Sequence, residues 1–127
     1  MGKTLYYGGN SPLLVNPVVK GTFVQNAITL ANGTTTMPFD TYGTVIVTPT
    51  QWDTYTANTA GVQTGAHATL MIITSGSTSY GVYWGSGFNN NNNSITTGTS
   101  SGSIIILTFI FDGSKWQEIR RTTAIAK

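Results

Sequence analysis

Ser103-Ile-Ile-Ile-Leu-Thr-Phe-Ile-Phe111, then Asp112-Gly113-Ser114-Lys115, then Trp116-Gln-Glu-Ile-Arg-Arg121 is the stretch that decides the fold. The first run is short, β-branched and aromatic, and Gly102 and Asp112-Gly113 bound it, which predicts a strand. Asp-Gly between two such runs predicts a hairpin, because Gly supplies the positive φ of a tight turn. Ile104, Ile106 and Thr108 alternate with Ile105, Leu107, Phe109 and Phe111, so neither side of the strand suits water. A one-sided sheet would alternate polar with apolar residues. This strand is therefore expected to be covered twice, by its own core and by a second sheet or a neighbouring subunit. Ile105, Leu107, Phe109 and Phe111 are the residues expected in core or oligomer packing.

Residues 67–74 (His-Ala-Thr-Leu-Met-Ile-Ile-Thr) repeat the pattern. Further strands are predicted at 22–30, 34–39, 43–48, 79–84 and 94–97, with Asn32-Gly33 read as a second hairpin turn. Residues 51–66 are polar, and Thr54, Thr56, Thr59, Gly61 and Gly65 point to a loop. The expected architecture is all-β: a single antiparallel β-sandwich, jelly-roll-like, of about eight strands. Residues 22–127 form that domain. Residues 1–21 form an extended N-terminal arm, since Pro12 and Pro17 block helix and Gly8-Gly9 adds freedom. The arm is either a frayed terminus or a strap onto a neighbour, and Leu13, Leu14, Val15 and Val18, too apolar for a loose tail, carry the second reading.

The 127 residues suit one domain, and charged side chains make up only 8% of them, against about 25% in an average soluble domain. Weak charge repulsion suits a chain that is packed into an assembly. Six basic and four acidic side chains give a formal charge of +2, too little for a nucleic-acid footprint. Cysteine is absent, which removes disulfides and thiolate metal sites. No membrane span is expected, and the early apolar run at 13–19 is broken by Asn16 and Pro17, unlike a secretory leader.

Catalysis requires convergent ionisable or metal-binding groups. His67 stands at a strand start with no nucleophile or orienting acid at a useful spacing. Asp40, Asp53, Asp112 and Glu118 are scattered, and Asp112 reads as a turn residue. Glu118 shares a strand face with Arg120, which makes those two the expected ion pair. No enzyme activity and no cofactor are expected. Trp84 and Tyr80, which alternate with Gly81 and Tyr83, are read first as core packing, beside a solvated loop that carries Phe88. The alternative is a sugar-binding loop of Tyr83 and Phe88 with Asn90 and Asn91 from the run of asparagines.

Leu70-Met-Ile-Ile-Thr-Ser-Gly76, Trp84-Gly-Ser-Gly-Phe88, Thr96-Thr-Gly-Thr-Ser100 and the run from Leu107 to Thr122 carry a resemblance. Together they resemble a β-rich module of tailed-bacteriophage virion proteins, found in head decoration (cement) proteins and at tail-fibre ends. The ending from Asp112 to Ala124 is similar to the one that closes that module. The resemblance covers residues 22–126 and leaves the arm outside. It implies β-sandwich subunits that assemble as trimers without enzyme activity, and it carries over no functional residue set. The expected function is a homotrimeric capsid decoration protein, made in the host bacterial cytoplasm and seated on the capsid exterior against the major capsid protein lattice. The arm residues Leu13, Leu14, Val15 and Val18 would make the capsid contact. The alternative is a fibre or spike module that reads host-surface glycans, and a cellular lectin-like domain ranks third.

Overall fold

The computed structural model describes Tyr6–Tyr7, Ser11–Pro12 and residues 26–89, 93–123 and 125. The arm residues Leu13, Leu14, Val15 and Val18, the boundary at residue 21, and Asn90 and Asn91 lie outside the described residues.

The described chain is all β. Strands β1 (Tyr6–Tyr7) and β2 (Ser11–Pro12) form a small antiparallel pair. They are followed by β3 (Ala27–Thr29), β4 (Thr36–Met37), β5 (Thr44–Val47), β6 (Asp53–Ala57), β7 (His67–Ile73) and β8 (Gly81–Trp84). The chain continues through β9 (Ile95–Thr96), β10 (Ile104–Phe111) and β11 (Trp116–Arg121). Two larger sheets result, a five-stranded one in the order β11-β10-β7-β5-β3 and a four-stranded one in the order β4-β6-β8-β9.

Both sheets are mixed, which corrects the expectation of an antiparallel, jelly-roll-like arrangement. From β3 to β8 each successive strand passes to the other sheet. Strands β3 to β6 each pair parallel with the strand two places on, in β3–β5, β4–β6, β5–β7 and β6–β8. Parallel neighbours need a crossover to bring the chain back to its starting end. Here the crossover is a strand of the opposite sheet. Asn32-Gly33 is therefore a turn between sheets, not a hairpin, although Gly33 holds the expected positive φ of 87°. The winding ends where β9 folds back antiparallel on β8, and β10 pairs antiparallel with β7. Asp112-Gly113 then closes the expected β10–β11 hairpin, with Gly113 at φ 101°.

Strand β6 takes up residues 53–57 of the loop expected at 51–66, and residues 58–66 remain loop. Tyr55 and Ala57 point inward, whereas Thr54 and Thr56 face outward, a period-two pattern that the neighbouring glycines obscured. Burial pushes the Tyr55 phenol up to about 12, with a smaller push from the Asp53 carboxylate.

One core joins the inward faces of both sheets. Phe109 of β10 is fully buried and meets Phe88 at 5.2 Å, Phe39 at 5.8 Å and Trp84 at 5.8 Å between ring centroids. Trp116 is fully buried too, with Phe111 at 5.1 Å and Phe39 at 5.2 Å, and its indole N–H donates to the Asn58 carbonyl at 3.1 Å. That bond satisfies the one polar atom such a ring brings into a core.

Candidate functional site

The register of the five-stranded sheet sorts its side chains into two faces. Ile105, Leu107, Phe109 and Phe111 all lie in the core, so these four are used up by packing within one chain. The other face carries Ile104 beside Ile73, and Ile106 beside Met71, which is itself beside Ile46. All five are only half-buried. Ile125 bridges to Ile104 from beyond the last strand and is 49% exposed. Threonines continue this face below, where Thr108, Thr69 and Thr44 stand side by side. The result is a contiguous aliphatic surface on the outside of a sheet, where a solvated sheet carries polar residues.

The outer face of the four-stranded sheet is different in kind. Thr36 stands beside Thr56, Thr54 beside Tyr83, and Thr96 beside Gly81. The Thr36 and Thr56 hydroxyls lie 3.3 Å apart. Trp52, just before β6, lays its indole over Gly81: a Cβ on that glycine would stand 2.0 Å from the ring's Cε3 and Cζ3. Only glycine leaves room for the ring there. Trp52 is 56% exposed and Tyr83 46%, with ring centroids 6.0 Å apart and planes inclined by 33°.

Tyr83 and Phe88 were candidates for one ligand loop, and the structure separates them. Phe88 is fully buried among Trp84, Phe39 and Phe109. Its backbone returns to the core because Gly87, at φ 88°, stands where a Cβ would lie 2.1 Å from the Ala57 carbonyl oxygen. The loop is then fastened to β11: Trp116 N–H donates to the Gly87 carbonyl at 2.8 Å, and Asn89 N–H to the Trp116 carbonyl at 3.1 Å. Tyr83 instead finds its aromatic neighbour in Trp52. The sequence does not disclose that partner, because the threonines of β6, the strand that follows Trp52, resemble a polar loop.

Charged groups act as fasteners. Asp112 accepts the backbone N–H groups of Lys115 at 2.7 Å and Ser114 at 2.8 Å, and the Gln117 amide at 2.6 Å. Those bonds, the Lys115 N–H first, hold its carboxyl below the usual carboxylate range. Glu118 pairs with Arg121, not with Arg120. The β10–β11 register shifts between Thr108 and Phe109, so Phe109 faces Glu118 and Thr108 faces Arg120. Ile119 is the extra residue of this bulge, and it moves Arg121 to the face of Glu118. The guanidinium takes both carboxylate oxygens, at 2.5 and 2.6 Å, and also donates to the Asn93 carbonyl at 2.7 Å and the Ser94 carbonyl at 3.3 Å. The last strand of one sheet is thereby tied to the approach to β9 in the other.

His67 is exposed at the start of β7, beside Ile110. Among the described residues no group of three or more His, Asp or Glu side chains could hold a metal ion, and no helix is long and apolar enough to cross a membrane. Comparison of the chain with protein-family models, curated proteins and solved structures gives no match.

Proposed function

We propose that this chain is a non-enzymatic structural protein of a tailed-bacteriophage virion: a β-sandwich subunit that assembles as a homotrimer and decorates the head lattice. The supporting observation is the aliphatic outer face of the five-stranded sheet, built on Ile46, Met71, Ile73, Ile104 and Ile106. A contiguous apolar surface of this kind belongs to a contact with another polypeptide. With charged groups at only 8% of the chain, little opposes close packing of copies. The resemblance of the segments at 70–76, 84–88, 96–100 and 107–122 to a module of bacteriophage head decoration proteins and tail-fibre ends supplies the context.

In this reading the outer face packs against copies of the chain, and the arm at 1–21 straps onto the major capsid protein. The protein binds only the assembled lattice and stabilises that state by mass action. Three linked copies let weak individual contacts suffice. The test is co-sedimentation of the purified protein with undecorated bacteriophage heads, with and without residues 2–19. The full chain is expected to pellet with heads and the truncated one to stay in solution. Full decoration by the truncated chain would remove the strap. A full chain that ignores heads and binds bacterial cells would move the assignment to a receptor-binding fibre or spike module.

A further inference from the structure

The outer face of the four-stranded sheet carries a feature that packing does not account for. The indole of Trp52 spends one of its faces on Gly81, whose missing side chain it replaces. Such cover for a strand glycine is a known stabilising device, and it explains the inward contact. It leaves the opposite face of the ring open to solvent, at 56% exposure, and it says nothing of Tyr83, whose ring stands alongside at 46% exposure. Two large rings held rigidly at a surface provide broad amphipathic contact at little entropic cost.

The surroundings select the ligand. Thr54, beside Tyr83, and Thr96, beside Gly81, are exposed and bear hydroxyls that both donate and accept. Thr36 and Thr56 extend the same uncharged floor. Asp53 and Tyr55 lie on the alternate side of β6, where the Asp53 carboxylate accepts from the Gln51 amide at 3.2 and 3.3 Å. Among the described residues these floor threonines bring no charge with which to hold an anion or a cation. The two rings, with centroids 6.0 Å apart, incline by 33°, closer to parallel than to the upright walls that enclose a cation.

We infer that Trp52 and Tyr83 form a binding platform for a neutral carbohydrate. The axial C–H groups on one face of a hexopyranose carry partial positive charge and suit the electron-rich face of an aromatic ring. Its equatorial hydroxyls then reach the hydroxyls of Thr54 and Thr96 at the platform's margin. Trp52 supplies the stacking surface, Tyr83 extends it, and Gly81 is the positioning residue that sets the indole's place. The platform does not rest on the virion reading, since it stands on different residues from the aliphatic face.

The test uses the full chain with cellotetraose, maltotetraose and mannotetraose as neutral probes and tetragalacturonate as the anionic control. Saturation-transfer NMR reads binding, and indole fluorescence reads the ring. At least one neutral probe is expected to bind in the millimolar range with little dependence on salt. Trp52→Ala and Tyr83→Ala should each weaken it tenfold or more, whereas Tyr83→Phe keeps the ring and retains most of it. Gly81→Ala, which displaces the indole but removes neither ring, should also weaken binding. Thermal melts of each variant separate loss of the fold from loss of the site, and Tyr83→Ala repeats the test should Trp52→Ala fail to fold. The inference is overturned if no neutral probe binds, if only tetragalacturonate does, or if binding survives in folded Trp52→Ala or Tyr83→Ala protein.

Discussion

Replacing Phe109 by Ala and, separately, its neighbour Ile110 by Ala asks which face of β10 is the core. Phe109 is fully buried, with three aromatic rings within 5.8 Å of its own. Truncating it removes the transfer free energy of a phenyl ring and leaves a cavity that a rigid two-sheet core cannot close. Such changes cost about 3–5 kcal/mol. Ile110 lies on the outer face and is half-buried. Its three lost carbons, at about 0.8 kcal/mol for each one fully buried, amount to about 1 kcal/mol when half is already wet. The assay is urea unfolding of each variant, followed by tryptophan fluorescence at concentrations low enough to keep copies apart. With an m-value of about 2 kcal/mol per molar urea, the midpoint should fall by about 2 M for Phe109→Ala and by about 0.5 M for Ile110→Ala. Equal shifts for the two would refute the assignment of faces, and with it the reading of the outer surface as available for contact.

Three further perturbations have definite expected outcomes. The Tyr55 phenol, at about 12 in the fold against 10 unfolded, favours folding below pH 10, and that contribution is lost as pH rises from 10 to 12; a shift of that size corresponds to about 3 kcal/mol, and Tyr55→Phe should flatten the alkaline loss of thermal stability. Asp112 has a lowered carboxyl, so its contribution is present above the unfolded carboxylate range and is lost as pH falls through the folded value; Asp112→Asn should flatten the acid limb of a melting-temperature profile below pH 4. Gly87→Ala places a Cβ against the Ala57 carbonyl at a positive φ, so it should cost about 2–4 kcal/mol by chemical denaturation, far more than the same change at Gly33, where the space is open.

The hairpin of β10 and β11 was legible in the sequence because an unbroken β-branched and aromatic run meets an Asp-Gly turn, and both signals are local. The parallel winding was not legible. Asn32-Gly33 offers the same turn chemistry whether the chain returns to its own sheet or passes to the other, and only the pairing of β3 with β5 and β4 with β6 decides between them. Residues 53–57 do alternate in period two, but threonine on one face and a lone tyrosine and alanine on the other resemble a polar loop. The ion pair went to Arg121 because one bulge at Ile119 exchanges the faces of every later residue, and strict alternation has no way to register an inserted residue. Phe88 looked like a loop-tip aromatic because its burial depends on Gly87 and on bonds to Trp116 that are distant in sequence. The doubly apolar character of β7 and β10 was visible from the start, and the structure assigns one face of each to the core and leaves the other half-buried at the surface.

The most direct measurement is the solution mass of the full chain by sedimentation equilibrium, beside a variant with Met71→Lys at the centre of the aliphatic face. The expected result is a trimer for the unaltered protein and a folded monomer for the variant, because a lysine amine buried between copies would lose its water without gaining a partner. A protein that stays monomeric at every concentration, or a variant that assembles as well as the original, would contradict the claim that this face joins copies of the chain.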